Sequence, residues 1–465
     1  MIVILISNAS KKQIKSERFD QKSKITQMKI KLIKLFIILV FVNPISGKDW
    51  IISPNNNAQE EIQEALILAE PGDQVLLSKG IYTLDHGLSL DVDNVSIIGA
   101  GMYETILDFS NQETGAQGLL VTSDNVLMQD FAIENAKGDA IKSKGVKNIS
   151  FIKVRTEWTN GPDSKNGAYG LYPVESIGVL IDGCVAIGAS DAGVYVGQSE
   201  QIIVRNTRAE FNVAGIEIEN SYYADVYNNI ATNNTGGILI FDLPNLPKQG
   251  GKFVRVFQNK SFNNNTDNFA PEGNIVGLVP SGTGLIIMAN RNVEVFDNDF
   301  DNNQTVHIAV VAGDLESGDD NYDPFPKGIQ IHNNQYSNVG KNPDVSRGDL
   351  SPILIDIAQG DMPDIIWDGL LPMSQLFFGQ PEKEKIIIEE ANDTNFLDLD
   401  VFWYVAFPFF HSPSRDKSEF KGSITNLPPI SKSVSYTQLR AHETINQRVC
   451  RLLRETRGGG GGGGG

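Results

Sequence analysis

Glu217 and Glu219 lie in the run Gly215-Ile-Glu-Ile-Glu-Asn220, where apolar and acidic residues alternate. In a β-strand this alternation puts Ile216 and Ile218 on one face and both carboxylates on the other. Two residues of strand separate the acids by about 7 Å. That falls in the range of about 6.5–9.5 Å at which an inverting glycosidase holds its acid and base. Gly193-Val-Tyr195-Val-Gly and Gly170-Leu-Tyr172-Pro-Val repeat the frame 22 and then 23 residues upstream. Aligned on their glycines, Tyr195 stands beside Glu217, Tyr172 beside Tyr195, and Lys142 one unit earlier. A tyrosine near a cation can also take a proton from carbon and return it to a leaving oxygen, as a polysaccharide lyase requires. Tyr172, Tyr195, Glu217 and Glu219 are therefore the candidate catalytic residues. Asp191 opens the Tyr195 run, and Glu175, Gln198, Asn220 and Asp242 would form a further column. Lys142, Glu175, Asp191, Asn220 and Asp242 are expected to bind substrate, in a groove walled by insertions at 160–168 and 244–251. The rival reading is a solvated acidic face with no ligand.

These residues need a scaffold that repeats. Short alternating runs end at Gly99, Asp130, Lys153, Gly183, Asn206, Asn229, Asn259, Asn298 and Asn334, spaced 31, 23, 30, 23, 23, 30, 39 and 36 residues apart. The base period is 23 residues, with insertions. Each unit is strand and turn chemistry with no room for a helix. Strands of four or five residues at that period describe one coil of a parallel β-solenoid; a propeller would need a period near 40–45. The asparagines at 206, 229, 259, 298 and 334 are expected to stack as a ladder, amide to amide.

A solenoid needs a cap. Ile62, Ala65, Leu66 and Ala69 have the i, i+3, i+4, i+7 spacing of an amphipathic helix, followed by Pro71-Gly72-Asp73, a strand from Gln74 and Gly80-Ile-Tyr82. This succession resembles the N-terminal cap of right-handed parallel β-helix proteins of the pectate-lyase type. The resemblance covers about residues 50–340 and implies an all-β fold, a right-handed parallel β-helix with an N-terminal capping helix. The segments 167–174, 191–199 and 228–244 resemble a family of secreted bacterial proteins defined by their parallel β-helix repeats. Tyr169-Gly-Leu-Tyr-Pro-Val174 resembles the Tyr-Gly-x-Asp-Pro-His motif of mannuronan epimerases. Tyr172 and Val174 replace its acid and its histidine, so epimerase activity is not carried over.

Residues 48–432 carry 25 basic and 53 acidic side chains. That balance excludes nucleic acid and anionic membranes as partners, since both need a basic surface. It also counts against a polyuronate unless Ca²⁺ bridges the anions. No tight Ca²⁺ loop of alternating Asp is present; Asp319-Asp320-Asn321-Tyr322-Asp323 reads first as a solvated loop, with cation binding as the alternative. Two cysteines, Cys184 and Cys450, make neither a disulfide framework nor a zinc site. Cys184 is read as a small residue packed in a coil.

From Met28 the chain shows a basic stretch, the apolar run 35–42 and a small-residue zone ending at Gly47, the order of a signal peptide. The run is too short to span a bilayer. The expected organisation is over-translated upstream sequence at 1–27, a signal peptide at 28–47, the β-helix at 48–343, and a C-terminal cap or extension at 344–432. The segment 434–444 resembles a translated library adapter, and 458–465 is all glycine, so 433–465 reads as sequencing-adapter sequence without stable structure. The functional expectation is a monomeric secreted, periplasmic or surface protein that binds a polysaccharide and cleaves or modifies it. The alternatives are an adhesin, or a non-catalytic scaffold similar to the β-helix protein that assists copper-site maturation in nitrous-oxide reductase. Copper delivery would call for Met, His or Cys on the outer face, and the aligned strands offer Met288 alone.

Overall fold

A single 23-residue unit cannot bury its own apolar face, so the units stack and bury it between them. In the computed structural model, which describes residues 47–348 and 350–430, one such unit runs Ala192–Gly197, Glu200–Arg205, Arg208–Glu210, and the next begins at Ala214–Glu219. The expectations for 1–27, for 28–46 and for 433–465 lie outside the described residues. Three parallel sheets result. Sheet A has 12 strands, from Asp49–Ile52 to Ile387–Glu389. Sheet B has 10, from Gly80–Thr83 to Gln335–Ser337, and sheet C has 11, from His86–Leu90 to Phe396–Asp398. Nine successive strands of sheet A lie between Ser96 and His332, against at least eight coils expected. Val194, Val196, Ile216, Ile218, Ile238 and Ile240 all point inward and are at most 1% exposed, so the predicted register holds.

The turn from sheet A to sheet B explains the recurring asparagines. Its first residue is left-handed in every coil from Gly183 (φ 67°) through Asn206 (52°), Asn228 (53°), Gln258 (55°), Asp297 (54°) and Asn333 (57°), a conformation that glycine and asparagine tolerate best. The next residue makes the ladder. Asn229, Asn259 and Asn298 each pass an amide to the asparagine of the following coil at 2.9–3.0 Å, and Asn334 ends the ladder on Glu390 Oε1 at 2.7 Å. Asn206 was expected in this ladder and is not in it. It occupies the left-handed position and donates outward to Asp182 Oδ1 (2.7 Å). The ladder continues instead through Thr207, whose N–H donates to Asn229 Oδ1, and then Cys184, whose N–H donates to Thr207 Oγ1. Cys184 is indeed buried in the coil. A second ladder, Asn212, Asn234, Asn264 and Asn303, fills the turn from sheet B to sheet C.

Helix Ala58–Leu68 closes the N-terminal end, with Ile62, Ala65 and Leu66 in the core. Beyond Ser337, sheets A and C continue through Ile387–Glu389, Ile365–Trp367 and Phe396–Asp398. The later chain also covers the outer face of sheet C. Leu354, Ala358, Met362 and Val401 pack with Ile286, Ala309, Ile366 and Leu397 in an apolar cluster separate from the solenoid core.

Candidate functional site

Sheet C carries the expected column. Lys142 pairs in register with Tyr172, and Tyr195 with Glu217, while Leu171 opposite Val194 aligns the two tyrosines. Glu219 lies opposite Gly197, so its side chain has free space upstream, and the Tyr195 hydroxyl fills it, donating to Glu219 Oε1 at 2.5 Å. The rings of Tyr169, Tyr172 and Tyr195 pack together with centroids 4.4–4.9 Å apart. Lys142 Nζ stands 4.3 Å above the centre of the Tyr172 ring and 3.7 Å from Asp139.

Four expectations about this face need correcting. Tyr195, Asp191, Glu217 and Glu219 were expected to be exposed, and they are 5%, 5%, 1% and 6% exposed. Their strands do face outward, but a strap at 268–281 lies over them. Val276 and Val279 of the strap join Tyr195, Ala214, Leu239 and Phe241 in the outer apolar cluster, and Asn274 donates to Asp191 Oδ2 at 3.2 Å. The 39-residue spacing from Asn259 to Asn298 marked this insertion in the sequence, yet nothing there says which face it covers. The 160–168 insertion does border the site, since Gly167 and Ala168 carbonyls accept from Ser190 and Asp191 N–H.

The 244–251 insertion is held elsewhere. Asn220 donates to the carbonyls of Leu243 and Lys248 and accepts from Leu243 N–H, and Asp242 accepts from Gly250 and Gly251 N–H. Both residues are fully buried, so their polar atoms clamp this loop and are not available to substrate. Glu175, Gln198 and Asn220 do form one column, at left-handed turn positions (φ 53°, 52° and 47°). Glu175 reaches only Lys144, at 3.5 Å. Tyr169, Asp139 and Asn274 belong to the site and were missed. Tyr169 and Asp139 each lie three residues before a residue already singled out, Tyr172 and Lys142, an odd offset that strict strand alternation puts on the opposite face.

The electrostatics follow from burial. The Glu217 and Glu219 carboxyls lie within hydrogen-bonding reach of each other, rather than standing about 7 Å apart as the strand spacing suggested. Burial, then Asp191 and Glu219 beside it, hold Glu217 well above the usual carboxylate range. Burial pushes Glu219 up to about 7 even though Tyr195 donates to it. Burial likewise pushes Asp191 up to about 7, against a hydrogen bond from Tyr169. Two carboxyls this close resist ionising together, so the pair holds a proton to higher pH than a lone carboxyl does. Glu217 Oε2 has no hydrogen-bond partner. The tyrosines are pushed the other way from reactivity: burial raises Tyr172 to about 12 and Tyr169 and Tyr195 further.

The 319–323 stretch uses its acids internally. Asp319 accepts from Asn245 and Asn321 N–H, and Asp323 pairs with Lys327 (2.6 Å) and Arg291 (3.1 Å). Among the described residues no group of three or more His, Cys, Asp or Glu is arranged to hold a metal ion. Among the same residues no helix is long and apolar enough to cross a membrane.

No curated protein matches the sequence at a significant level. Among solved structures, the chain is similar to the A-module of the mannuronan C-5 epimerase AlgE4 from Azotobacter vinelandii, at 14% identity over 74% of this chain and 93% of that one, TM-score 0.48. It is also similar to an alginate lyase from Paenibacillus sp. (14% identity, 63% and 97% covered, TM-score 0.40). A third is the family 28 exopolygalacturonase of Yersinia enterocolitica (12% identity, 63% and 65% covered, TM-score 0.40). The sequence of residues 80–246 matches the family described as "Right handed beta helix region", and the coils within it are those that carry the acid and tyrosine cluster.

Proposed function

We propose that the protein binds a neutral polysaccharide at the outer face of sheet C and hydrolyses its glycosidic bonds with the Glu217–Glu219 pair. The observation that supports this most is the buried, proton-holding pair itself. Carboxyls held in apolar surroundings beside a third acid are costly, and such clusters concentrate where acid–base chemistry is done. A pair that holds one proton has both a donor for a leaving oxygen and an acceptor for the proton of a water, once the incoming glycan and water part the carboxyls to the separation of about 5–9.5 Å at which glycosidases work. Tyr169, Tyr172, Asp139 and Lys142 are half-buried at the open side of the cluster and form the rim on which a sugar ring would stack and bond. A surplus of acid in the site favours an uncharged glycan over a polyuronate. The lyase alternative is weaker, because no tyrosine here is close to giving up its proton and Lys142 sits over the Tyr172 ring face.

In this reading Asn274 and the 268–281 strap move aside as the glycan enters. The signal-peptide order after Met28 supports action outside the cytoplasm. The test is a screen of soluble neutral glycans (dextran, laminarin, xylan, inulin, soluble starch) for new reducing ends. Tyr172→Ala and Lys142→Ala are expected to lower affinity for the active glycan about tenfold, read by isothermal titration, since ring stacking and charge at such rims are worth about 1–2 kcal/mol. Affinity unchanged in both variants would remove the rim from the site. No reducing ends from any glycan, with saturable binding retained, would leave a binding protein, the reading that the burial of Glu217 favours next.

A further inference from the structure

We infer that the outer face of sheet A is a docking groove for an extended, proline-bearing peptide, occupied in this chain by its own residues 422–430. This groove is separate from the acid and tyrosine cluster, which belongs to sheet C.

The floor of the groove is one outward column on successive coils. Asp225 pairs in register with Arg255, Arg255 with Glu294, and Glu294 with Gln330. Two residues along the same strands, and so on the same face, Tyr227, Phe257, Phe296 and His332 stack with centroids 4.8–5.3 Å apart and planes within 9°. Tyr223 and Phe253 stack at 5.1 Å near the start of those strands. A polar floor beside a ladder of aromatic rings is the kind of aromatic-lined groove on which polyproline-II segments dock.

The occupant has the matching form. Three of its main-chain N–H groups donate to the floor, Thr425 to Gln330 Oε1 (2.6 Å), Leu427 to Glu294 Oε2 (2.9 Å) and Ile430 to Asp225 Oδ2 (3.1 Å), and Gly422 donates to Glu389 Oε1 (2.9 Å), in register with His332 of the aromatic column. Gln330 also donates back to the Thr425 carbonyl at 2.9 Å. Ile424, Leu427 and Ile430 are the half-buried residues, while Pro428 and Pro429 are exposed. An inward residue at every third position is the period of polyproline II. Over Leu427–Ile430 the pitch agrees with the floor, whereas Gly422–Thr425 advances by a single strand. Three residues of polyproline II advance about 9.3 Å, and two strand spacings span about 9.6 Å; Leu427 and Ile430 engage Glu294 and Asp225, two strands apart. Lys421 already has φ −78° and ψ 142°, and the two prolines restrict φ further.

The floor needs this occupant. Asp225 and Glu294 are 4% and 1% exposed. Asp225 is answered by Arg255 at 2.8 and 2.6 Å, and Glu294 by His332 at 3.3 Å, and the amides of Ile430 and Leu427 supply a further bond to each. Because those bonds are made by main-chain N–H, they do not depend on the occupant's side chains. Selectivity rests on the apolar residue at every third position and on the extended form. Tethering at residue 421 gives the chain's own segment an effective concentration on the order of millimolar, so it excludes a free peptide of the same kind.

Two measurements on the full-length protein test this. Hydrogen exchange at the Thr425, Leu427 and Ile430 amides should be slowed at least a hundredfold relative to a synthetic Gly-Ser-Ile-Thr-Asn-Leu-Pro-Pro-Ile peptide; exchange at the free-peptide rate would overturn the inference. In the double variant Leu427→Asp, Ile430→Asp, the segment should leave the groove, and the same peptide carrying a fluorophore should then bind saturably, whereas the unmodified chain should not take it up. Adding Glu294→Gln, or replacing both prolines of the peptide with glycine, should weaken that binding at least tenfold. A double variant that melts as the parent does and takes up no peptide would overturn the inference, as would equal uptake by the unmodified chain. Should the double variant fail to fold, the exchange measurement alone decides.

Discussion

Glu217→Gln is expected to abolish hydrolysis and, at pH 8, to raise the melting temperature. The loss of turnover follows from the proposed chemistry. Glutamine can still donate to Glu219, but it cannot release or regain a proton, and removing a general acid of this kind costs at least a hundredfold in rate. The gain in stability follows from burial. Glu217 is 1% exposed beside Glu219 and Asp191, and above neutral pH the cluster must either hold protons against solution or accept buried charge. An amide of the same shape stays within hydrogen-bonding reach of Glu219 and removes one ionisable group.

The same acids set the pH dependence. A carboxyl whose folded value is raised contributes stability that is fully present below its unfolded value near 4, declines as pH rises, and is lost above the folded value. Asp191, Glu219 and Asp368 are raised by burial to about 7 and Asp398 to about 6, so the decline falls between about pH 4 and 7. His307 opposes it. Burial lowers that histidine to about 4, so its contribution is present above its unfolded value near 6.5 and is lost as pH falls toward 4. One histidine against several acids leaves the protein more stable at pH 5 than at pH 8. A tenfold change in proton affinity is worth about 1.4 kcal/mol, so the difference should be on the order of several kcal/mol and visible as several degrees in thermal melts. Glu217→Gln should narrow the gap between the two pH values. A variant that melts lower than the parent at pH 8 would show that the cluster is not under electrostatic strain.

Asn259→Ala should be among the most damaging single changes in the β-helix. The Asn259 side chain accepts from both N–H and Nδ2 of Asn229, and donates to the Val226 carbonyl (2.9 Å) and to Asn298 Oδ1 (3.0 Å). Alanine leaves the Asn229 N–H and the Val226 carbonyl without these partners at a buried turn, with no room for a backbone shift between coils above and below. Each buried group left unsatisfied costs about 1–3 kcal/mol, so a loss of about 3–5 kcal/mol is expected in denaturant unfolding. Asn206→Ala, one position off the ladder and bonded among side chains to Asp182, should cost less, about 1–2 kcal/mol, most of it from alanine's poorer fit to the left-handed backbone. Equal losses would mean that the ladder is not what holds the turn.

The repeat arithmetic alone determined the coils, the inward residues Val194, Ile216 and Ile238, and the column in which Lys142, Tyr172, Tyr195 and Glu217 stand. Each of these depends on interactions within a coil or between adjacent coils, where a period of two along the strand and of 22–23 along the chain leaves one register open. The placement of Asn206 and Asn229 in one ladder failed by one position, because the left-handed turn residue and the ladder residue are both asparagine in the coil at Asn228-Asn229 and only hydrogen bonding tells them apart. Tertiary structure decided everything that reaches across coils from an insertion. The 268–281 strap converts Glu217 from an outward residue into a buried one, the 244–251 loop consumes Asn220 and Asp242, and residues 422–430 cross sheet A to meet acids up to 205 residues away. Periodicity carries no information about where an aperiodic segment folds back. Those contacts depend on the shape and charge of a surface that exists only once the coils have stacked.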